Sequence, residues 1–343
     1  MTPVKIGLDI AKNVFQVHGV AADGTVVLRR QLRRAQLSEF FSQLPPCLVG
    51  IEACPGAHHW ARHLQTLGHQ VRLMPPQYVK PYVKRQKNDA ADAEAICEAV
   101  DRPTMRFVPV KSGEQQSALL LHRTRELLIR QKVMLTNALR AHLAEFGVIA
   151  AQGRTGLADL MKLVTGSATP AVPDLARSTM VLLIEQVKEL MKRLSAVEAE
   201  ILRWHKANAA SRQLETIPGV GPITASAIVA SVTDVQQFGS ARQFAAWLGI
   251  VPRQNSSGGK ERLGRITKWG DSYIRKLLVV SSCALIRYAR GKAPEANWLA
   301  GVLARRPAKV AAVAMANKTA RIIWAVLRDG RAYQEEMPSV AAA

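Results

Sequence analysis

The sequence predicts a mixed α/β domain at the N-terminus, followed by a longer all-helical region. Short apolar segments with strand-like alternation occupy residues 4–74, and two long segments with three–four apolar spacing occupy 114–146 and 174–207. Shorter helical segments, separated by glycine-containing turns, then continue to residue 328. We therefore expect an α/β domain over 1–110, a coiled-coil or dimerisation region over 111–210, a third domain over 211–330 and a disordered tail over 331–343.

The charge balance indicates a polyanionic partner. The 343 residues include 47 Lys and Arg against 26 Asp and Glu, which gives a net charge of +21. A folded protein this basic usually binds nucleic acid, and we favour nucleic acid over a membrane surface. No apolar run approaches the roughly 18–20 uncharged residues of a membrane-spanning helix, and the N-terminus leads into a strand-like segment rather than a signal peptide. We expect no membrane partner and a cytoplasmic location.

The four cysteines predict no metal or disulfide framework. Cys47, Cys54, Cys97 and Cys283 show no C-x-x-C spacing. Buried free thiols are therefore the expectation.

Carboxylates interrupt two of the predicted strands in the first domain. Asp9 lies in the first strand, in Val4–Ile10, and Glu52 lies near the end of a later strand, in Cys47–Ala53. The other elements expected in this domain are strands over 14–20, 25–32 and 70–74 and helices over 37–44 and 57–67. Three strands joined by short turns at the start are typical of a ribonuclease-H-like sheet.

A third acidic position begins the next predicted helix, within Lys87–Ile96. Asp89 and Asp92 are three residues apart and therefore share a helix face. In isolation the pair is better explained by capping, with Asn88 or Asp89 as the cap and the acid three positions on complementing the helix dipole.

The order of these acids favours a second explanation. A RuvC-type fold gathers carboxylates from a first strand, a later strand and a following helix, and two Mg²⁺ ions about 4 Å apart need several oxygen ligands for phosphodiester chemistry. We therefore predict that Asp9, Glu52, Asp89 and Asp92 bind metal.

The segment before this helix is basic and aromatic. It could follow a nucleic-acid backbone and stack on bases, or it could be a solvated loop beside an acidic pocket. The residues concerned are Tyr78, Lys80, Tyr82, Lys84, Arg85 and Lys87.

The two long helices carry apolar seams. Leu121, Leu128 and Leu135 have heptad spacing in the first, and apolar residues recur at three–four spacing from Met180 to Trp204 in the second. The seam predicts a coiled coil, formed either with the other long helix of the same chain or with a second subunit. A linker rich in Gly, Thr and Pro is expected between the helices.

Two features of the third region suggest contact with phosphate. Gly219 and Gly221 form a Gly-x-Gly turn between short predicted helices, as in a helix-hairpin-helix, whose backbone N–H groups can meet a phosphate. Farther on, Ser256 and Ser257 lie in a loop of small residues, and composition alone favours phosphate binding there over a catalytic serine. The cations of this loop are Arg253, Lys260, Arg262, Arg265 and Lys268. From Arg253 to Arg328 there are 16 Lys and Arg against three acids.

Together these motifs resemble those of the DEDD transposases related to the Piv DNA invertase. These are bacterial insertion-sequence recombinases, also known as bridge-RNA-guided recombinases. The resemblance covers residues 4–328, in the family's order. The motifs that carry it are Gly7–Lys12, Gly50–Ala53, Lys87–Ala93, Ile217–Gly221 and Ser256–Lys260.

The resemblance implies a specific chemistry. The tetrad would correspond to Asp9, Glu52, Asp89 and Asp92 of a RuvC-like domain that binds Mg²⁺, or Mn²⁺ in its place. A C-terminal transposase domain would supply a serine that forms a covalent phosphoserine link with DNA, best matched by Ser257 with Ser256 as the alternative. It also implies a noncoding RNA that pairs with target and donor DNA, a bacterial cytoplasm, and a dimer or dimer of dimers whose active sites combine subunits.

Two other functions fit the residues. A metal-dependent junction resolvase or nuclease would use the same tetrad with water as the nucleophile. A non-catalytic architectural protein would use only the charge, the hairpin and the long helices, and its acids would act as helix caps.

Overall fold

The computed structural model describes residues 2–84, 88–166, 172–290 and 298–334. Two compact units divide the chain, one spanning Met1–Gly113 and one beginning at Glu114. The finer boundaries at residues 110, 210 and 330 stay predictions.

A five-stranded mixed sheet forms the first unit. The strands are β1 (Lys5–Ile10), β2 (Val14–Val20), β3 (Val26–Arg33), β4 (Leu48–Glu52) and β5 (Gln70–Met74). Their order is β3-β2-β1-β4-β5. The first three strands are antiparallel neighbours, whereas β4 is parallel to β1 and β5 is parallel to β4. The expected strands are therefore confirmed, and the alternating apolar residues Ile6 and Leu8 of β1 are fully buried.

Helices pack on both faces of this sheet. They are α1 (Leu37–Ser42), α2 (Ala57–Thr66), α3 (Pro76–Val79) and α4 (Asp89–Ala99). Ile6 and Leu8 form a core with Phe41 of α1 and Leu64 of α2. Successive side chains of a strand point to opposite faces, so Gly7 and Asp9 lie on the other face, where α4 packs.

Two glycines on neighbouring strands bring α4 close to the sheet. Gly7 of β1 and Gly50 of β4 are register partners. A Cβ on Gly7 would lie 2.1 Å from the carbonyl oxygen of Ala93, and one on Gly50 would lie 2.8 Å from Cβ of Val100. Only residues without a side chain permit this approach, which carries the start of α4 towards Asp9.

We expect Gly7→Ala to destabilise the first unit strongly. The new methyl group meets the backbone of α4, which cannot yield as a flexible side chain would, so the loss should be about 2–3 kcal/mol or more. Chemical unfolding followed by circular dichroism measures it. Gly113→Ala is the matched control, since a Cβ there meets nothing within 4 Å. Equal stability of the two variants would contradict the proposed packing.

The second unit is almost entirely helical. Its helices are α5 (Gly113–Ala144, beginning at the boundary), α6 (Arg154–Thr165), α7 (Asp174–Ala207), α8 (Ala209–Glu215), α9 (Pro222–Ser231), α10 (Ala241–Trp247), α11 (Ser272–Arg290), α12 (Trp298–Leu303) and α13 (Ala308–Asp329). A short hairpin of β6 (Pro252–Gln254) and β7 (Leu263–Ile266) lies between α10 and α11.

The two long helices run antiparallel within the chain. Glu114 near the start of α5 accepts a hydrogen bond of 2.9 Å from the indole of Trp204 near the end of α7. Midway along, Nε of Arg125 lies 2.8 Å from a carboxylate oxygen of Glu198. Leu139 of α5 shares a buried core with Ile184 of α7. Pairing with a second subunit stays a prediction.

The expected linker between the long helices is partly wrong. Residues 154–165 form α6, whose Leu160 and Val164 are buried against the cores of α5 and α7. The apolar residues of this segment recur every three to four positions, as in a helix, but the glycines at 153, 156 and 166 favoured the linker interpretation.

Among the described residues, one helix is long and apolar enough to cross a membrane. This helix is α13. Ala316, Ala320 and Ile323 of α13 are fully buried in the main core of the second unit. A core helix can have the same length and composition, so these properties are weak evidence for a membrane span.

A buried hydrogen-bond network joins α5 to the helices around it. His122 is 2% exposed, with Nε2 3.1 Å from Oγ of Ser226 and Nδ1 3.1 Å from the hydroxyl of Tyr273. The Ser226 hydroxyl donates to the carbonyl of Pro222 at 2.6 Å, so Nε2 of His122 donates and Nδ1 accepts. Burial lowers the pKa of His122 to about 4, consistent with this neutral form.

The tail begins against the second unit. The N–H of Tyr333 donates to Oγ1 of Thr216 at 2.9 Å. The rest of the predicted tail, from residue 335 onward, lies outside the described residues.

Candidate active site

Three carboxylates meet where β1 ends and α4 begins. Ligand oxygens of Asp9, Asp89 and Asp92 all lie within 4.8 Å of one another. Asp9 and Asp92 are partly buried and Asp89 is exposed. The cluster is therefore open to solvent on one side, as a site for a large substrate must be.

Asn88 frees the two aspartates of α4 from capping. Its side-chain oxygen accepts a hydrogen bond of 3.0 Å from the N–H of Ala90, and its backbone is extended, as at an N-cap. Of the two candidate caps, the structure uses Asn88. Asp89 and Asp92 lie in the first turn, where the helix dipole favours negative charge.

Burial, together with the closely spaced negative charges of these carboxylates, raises the pKa of Asp9. The pKa of Asp9 is raised from 3.8 to about 6, first by burial and then by the charges of Asp92, Asp89 and Glu52, while the N–H of Ile10 opposes the shift. Carboxylates held this closely repel one another. A divalent cation would relieve the repulsion, and hard cations such as Mg²⁺ prefer carboxylate oxygens.

The position of Glu52 follows from strand register. Leu8 pairs with Ile51 in the parallel β1–β4 ladder, and Asp9 and Glu52 are the next residues of the two strands, so both lie near the carboxyl ends of neighbouring strands. Within the described residues the close cluster comprises only the other three acids. The charge of Glu52 still raises the pKa of Asp9, which places it in the same electrostatic environment.

Metal-free stability should increase when Asp9 is neutralised. The pKa of Asp9 is about 6 in the folded protein and 3.8 in the unfolded chain. Protonation of Asp9 therefore stabilises the folded state fully below pH 3.8, and this stabilisation is lost as the pH rises through about 6. Asp9→Asn should therefore raise the melting temperature of the metal-free protein well above pH 6, and the gain should shrink as pH falls towards 3.8.

Asp23→Asn is the control for this prediction. The N–H and hydroxyl of Thr25 lower the pKa of Asp23, so its neutralisation should bring no gain above pH 6. A lower melting temperature for metal-free Asp9→Asn at that pH would contradict the repulsion.

Sequence reasoning missed the polar neighbours of the cluster. Gln16 on β2 is the register partner of Asp9. A groove beside it is lined by residues that include Arg29, Arg30 and the buried His18. The sequence signal was the polar residues alternating along β2 and β3, which strand periodicity alone marks as solvent-facing.

The basic and aromatic segment before α4 is only partly described. Tyr78 is 38% exposed, and Lys80 is exposed in the short 3₁₀ turn that follows α3. Tyr82 packs against the α4 core with the guanidinium of Arg102 5.8 Å from its ring centre. Lys84 pairs with Glu94 at 2.7 Å. The predicted contacts Arg85 and Lys87 lie outside the described residues.

In the second unit, α8 and α9 flank the Gly-x-Gly turn. Gly219 has φ +81°, and a Cβ there would lie 2.6 Å from Cδ1 of Leu285. Gly221 precedes the first turn of α9, where nothing within 4 Å would meet a Cβ. The open backbone at Gly221 and the free N–H groups that begin a helix suit approach by a phosphate.

The serine loop is an exposed β-hairpin rather than an irregular loop. Gly258 and Gly259, with φ of +57° and +75°, form a two-residue turn that Ser257 and Lys260 close through a backbone hydrogen bond of 3.1 Å. Every residue from Pro252 to Arg265 is exposed. The same hairpin and the segment after it carry the predicted cations Arg253, Lys260, Arg262, Arg265 and Lys268.

The two serines differ in their surroundings. Oγ of Ser256 accepts hydrogen bonds from the Gln254 amide at 3.2 Å and the Arg262 N–H at 3.3 Å. The hydroxyl of Ser257 makes no hydrogen bond with any residue in the described part of the chain. Ser257 is therefore the freer hydroxyl.

Comparison with known proteins assigns the family. A family model described as "Transposase IS116/IS110/IS902 family" matches residues 211–296, and an IS110-type DEDD model described as "Transposase" matches residues 6–147. A "Probable family 20 transposase" of Pseudomonas aeruginosa is 50% identical over 332 residues, which are 96% of this chain and 98% of the relative. The chain belongs to the IS110 family of insertion-sequence transposases.

Other members of the IS110 family align over almost the whole chain. The transposase for insertion sequence element IS1328 of Yersinia enterocolitica is 40% identical over 335 residues, covering 96% of this chain and 98% of the relative. The transposase for insertion sequence element IS1111A of Coxiella burnetii is 38% identical over 336 residues, covering 97% and 92%. This IS110-family transposase is thus a DNA-acting enzyme, and a DEDD family indicates use of a divalent metal.

Proposed function

We propose that this transposase cuts and rejoins DNA by metal-dependent transesterification, with a serine of the β6–β7 hairpin as the nucleophile. The observation that carries the proposal is the meeting of Asp9, Asp89 and Asp92 within 4.8 Å at the edge of the sheet. The strand order β3-β2-β1-β4-β5 supports a RuvC-like, ribonuclease-H-like assignment for this unit.

The three clustered aspartates and Glu52 are the proposed Mg²⁺ ligands, with Mn²⁺ as a substitute. Bound metal would stabilise the attacking and leaving oxygens of the phosphodiester. The chain's own contribution is to hold the ligands in place: β1 and β4 fix Asp9 and Glu52, and the Asn88 cap and the Gly7 contact fix the start of α4.

The proposed step conserves the bond that must be remade. Oγ of Ser257 forms a bond to phosphorus and loses its proton, while the bond from phosphorus to one deoxyribose oxygen breaks and that oxygen takes up a proton. The resulting phosphoserine ester keeps the phosphodiester energy for rejoining, whereas attack by water would discard it. The cations of the hairpin would stabilise the developing charge.

Partners follow from the family resemblance and the charge. We propose target and donor DNA, a noncoding guide RNA that pairs with both, and a dimer or dimer of dimers in the bacterial cytoplasm. Leu120, Leu127 and Met134 support self-association, because they are 48–64% exposed and lie seven residues apart on α5. Active sites combining the acids of one subunit with the hairpin of another belong to this proposal.

The function is tested by incubating the purified protein, with its co-purified nucleic acid, with plasmids carrying element ends and target. Joined products that require Mg²⁺ or Mn²⁺ and disappear with a chelator are expected. Cleavage without joining would favour the resolvase or nuclease alternative, in which the same acids activate water. Sequencing the retained nucleic acid tests guidance, and the absence of any discrete RNA would contradict it.

A further inference from the structure

The segment that joins the serine hairpin to α11 holds an exposed tryptophan. The side chain of Trp269 is 54% exposed. Its indole makes no ring contact, cation–π contact or hydrogen bond with any other residue that the structure describes. Its flat apolar face is therefore open to stacking by an aromatic ring or a nucleic-acid base.

The backbone beneath this indole is held in one conformation. A Cβ on Gly249 would lie 1.9 Å from the carbonyl oxygen of Trp269, and one on Gly270 would lie 1.8 Å from that of Trp247. Both glycines have positive φ, +71° and +80°. The backbones of residues 247–249 and 269–270 therefore pack against each other at a distance that only glycine allows.

Two further contacts fix the same segment. Nη1 of Arg275 donates to the carbonyl oxygens of Leu248 and Trp269 at 2.9 and 3.0 Å. Lys268 has φ +58°, and among the described residues it alone combines a side chain with the left-handed conformation. Strain of this kind costs about 1 kcal/mol or more and marks functional segments. The backbone that carries the exposed indole is thus fixed in place.

The charge around this indole identifies the chemistry of its partner. Arg265 and Lys268 lie within four residues of Trp269, and Glu261 is the single acid between Arg253 and Gly270. A flat aromatic surface among cations matches a nucleic-acid strand, whose phosphates meet the cations while a base stacks on the ring. An apolar protein partner would not need the cations.

We propose that Trp269 is a base-stacking residue that holds an unpaired base of the DNA beside the serine hairpin. This inference rests on the proposed function, because it places the base on the DNA strand that the serine attacks, at the base of the hairpin that carries Ser257 at its turn. An indole reaches the whole face of a base most readily where the strand is unstacked, so the substrate class is DNA that is single-stranded at this point.

Binding of a short single-stranded oligodeoxythymidine, measured by fluorescence anisotropy at several salt concentrations, tests this role. Trp269→Ala should weaken binding about 5- to 100-fold, the usual effect of losing one stacked base, and Trp269→Phe should restore most of it. The salt dependence should not change, because no phosphate contact is lost. Lys268→Ala should instead reduce the salt dependence.

Trp298→Ala is the matched control. Trp298 is 43% exposed in the same unit, but Nζ of Lys318 lies 4.8 Å from its ring centre. Unchanged binding by Trp269→Ala, or an equal loss in Trp298→Ala, would overturn the stacking role, as would a change of oligomeric state in Trp269→Ala with DNA affinity intact. The proposed function fails separately, through an active Asp89→Asn variant.

Discussion

Asp89→Asn should reduce DNA strand cleavage by at least about 100-fold, since it removes a charged ligand of the proposed metal and alters shape little. Asp89 lies within 4.8 Å of the ligand oxygens of Asp9 and Asp92. The helix should survive the change, because Asn88 supplies the cap. Cleavage of a labelled DNA substrate in Mg²⁺, with circular dichroism as a check on folding, measures the effect.

The control for this variant is Asp101→Asn in the same unit. Asp101 is exposed and pairs with Lys5 at 2.8 Å, so its neutralisation removes one surface ion pair that is worth little. We expect cleavage by this variant close to that of the unaltered protein. If Asp89→Asn cleaved as well as the control, Asp89 would be a helix-start residue without a catalytic role.

Ser257→Ala should lower formation of the covalent protein–DNA link by about 10³-fold or more, as loss of a nucleophile does. Ser256→Ala should have a much smaller effect, about 10-fold or less, because Ser256 accepts hydrogen bonds within the hairpin and its loss would loosen the turn. Denaturing gels of labelled DNA report the link directly.

The pair of serine variants separates three outcomes. A larger loss in Ser256→Ala would assign the nucleophile to that residue, which sequence reasoning left open. Recombination by the double variant at the unaltered rate would show that the covalent mechanism is wrong. Cleavage that persists without any covalent link would assign the nucleophile to water.

Strands and capped helices were predictable because apolar alternation and cap residues are local features of the sequence. Alternation gave β2 and β5 their observed bounds, and Asn88 marked the start of α4. The hairpin at Ser257 was predicted as a loop, since β6 and β7 have three and four residues and no alternating apolar pattern. Its remaining signal was the Gly258-Gly259 pair, which is typical of a two-residue turn.

The geometry of the candidate site depended on contacts that sequence spacing does not contain. The four acids could be named from their strands and helix, but the approach of α4 to β1 depends on Gly7 meeting the backbone of Ala93. From the sequence alone, Trp269 is one aromatic residue among basic ones, with nothing to distinguish it. Its fixed backbone depends on the close packing at Gly249 and Gly270, which are twenty-one residues apart in sequence and adjacent in space.

The most direct test of the account is to trap the protein on DNA, digest the adduct and locate the modified peptide by mass spectrometry. Cleavage after Arg253 and Lys260 releases Gln254–Lys260, a peptide that contains both serines. We predict a phosphodeoxyribose adduct on this peptide, with fragmentation placing it on Ser257. Cleaved DNA with a free phosphate and an unmodified Gln254–Lys260 peptide would contradict the account.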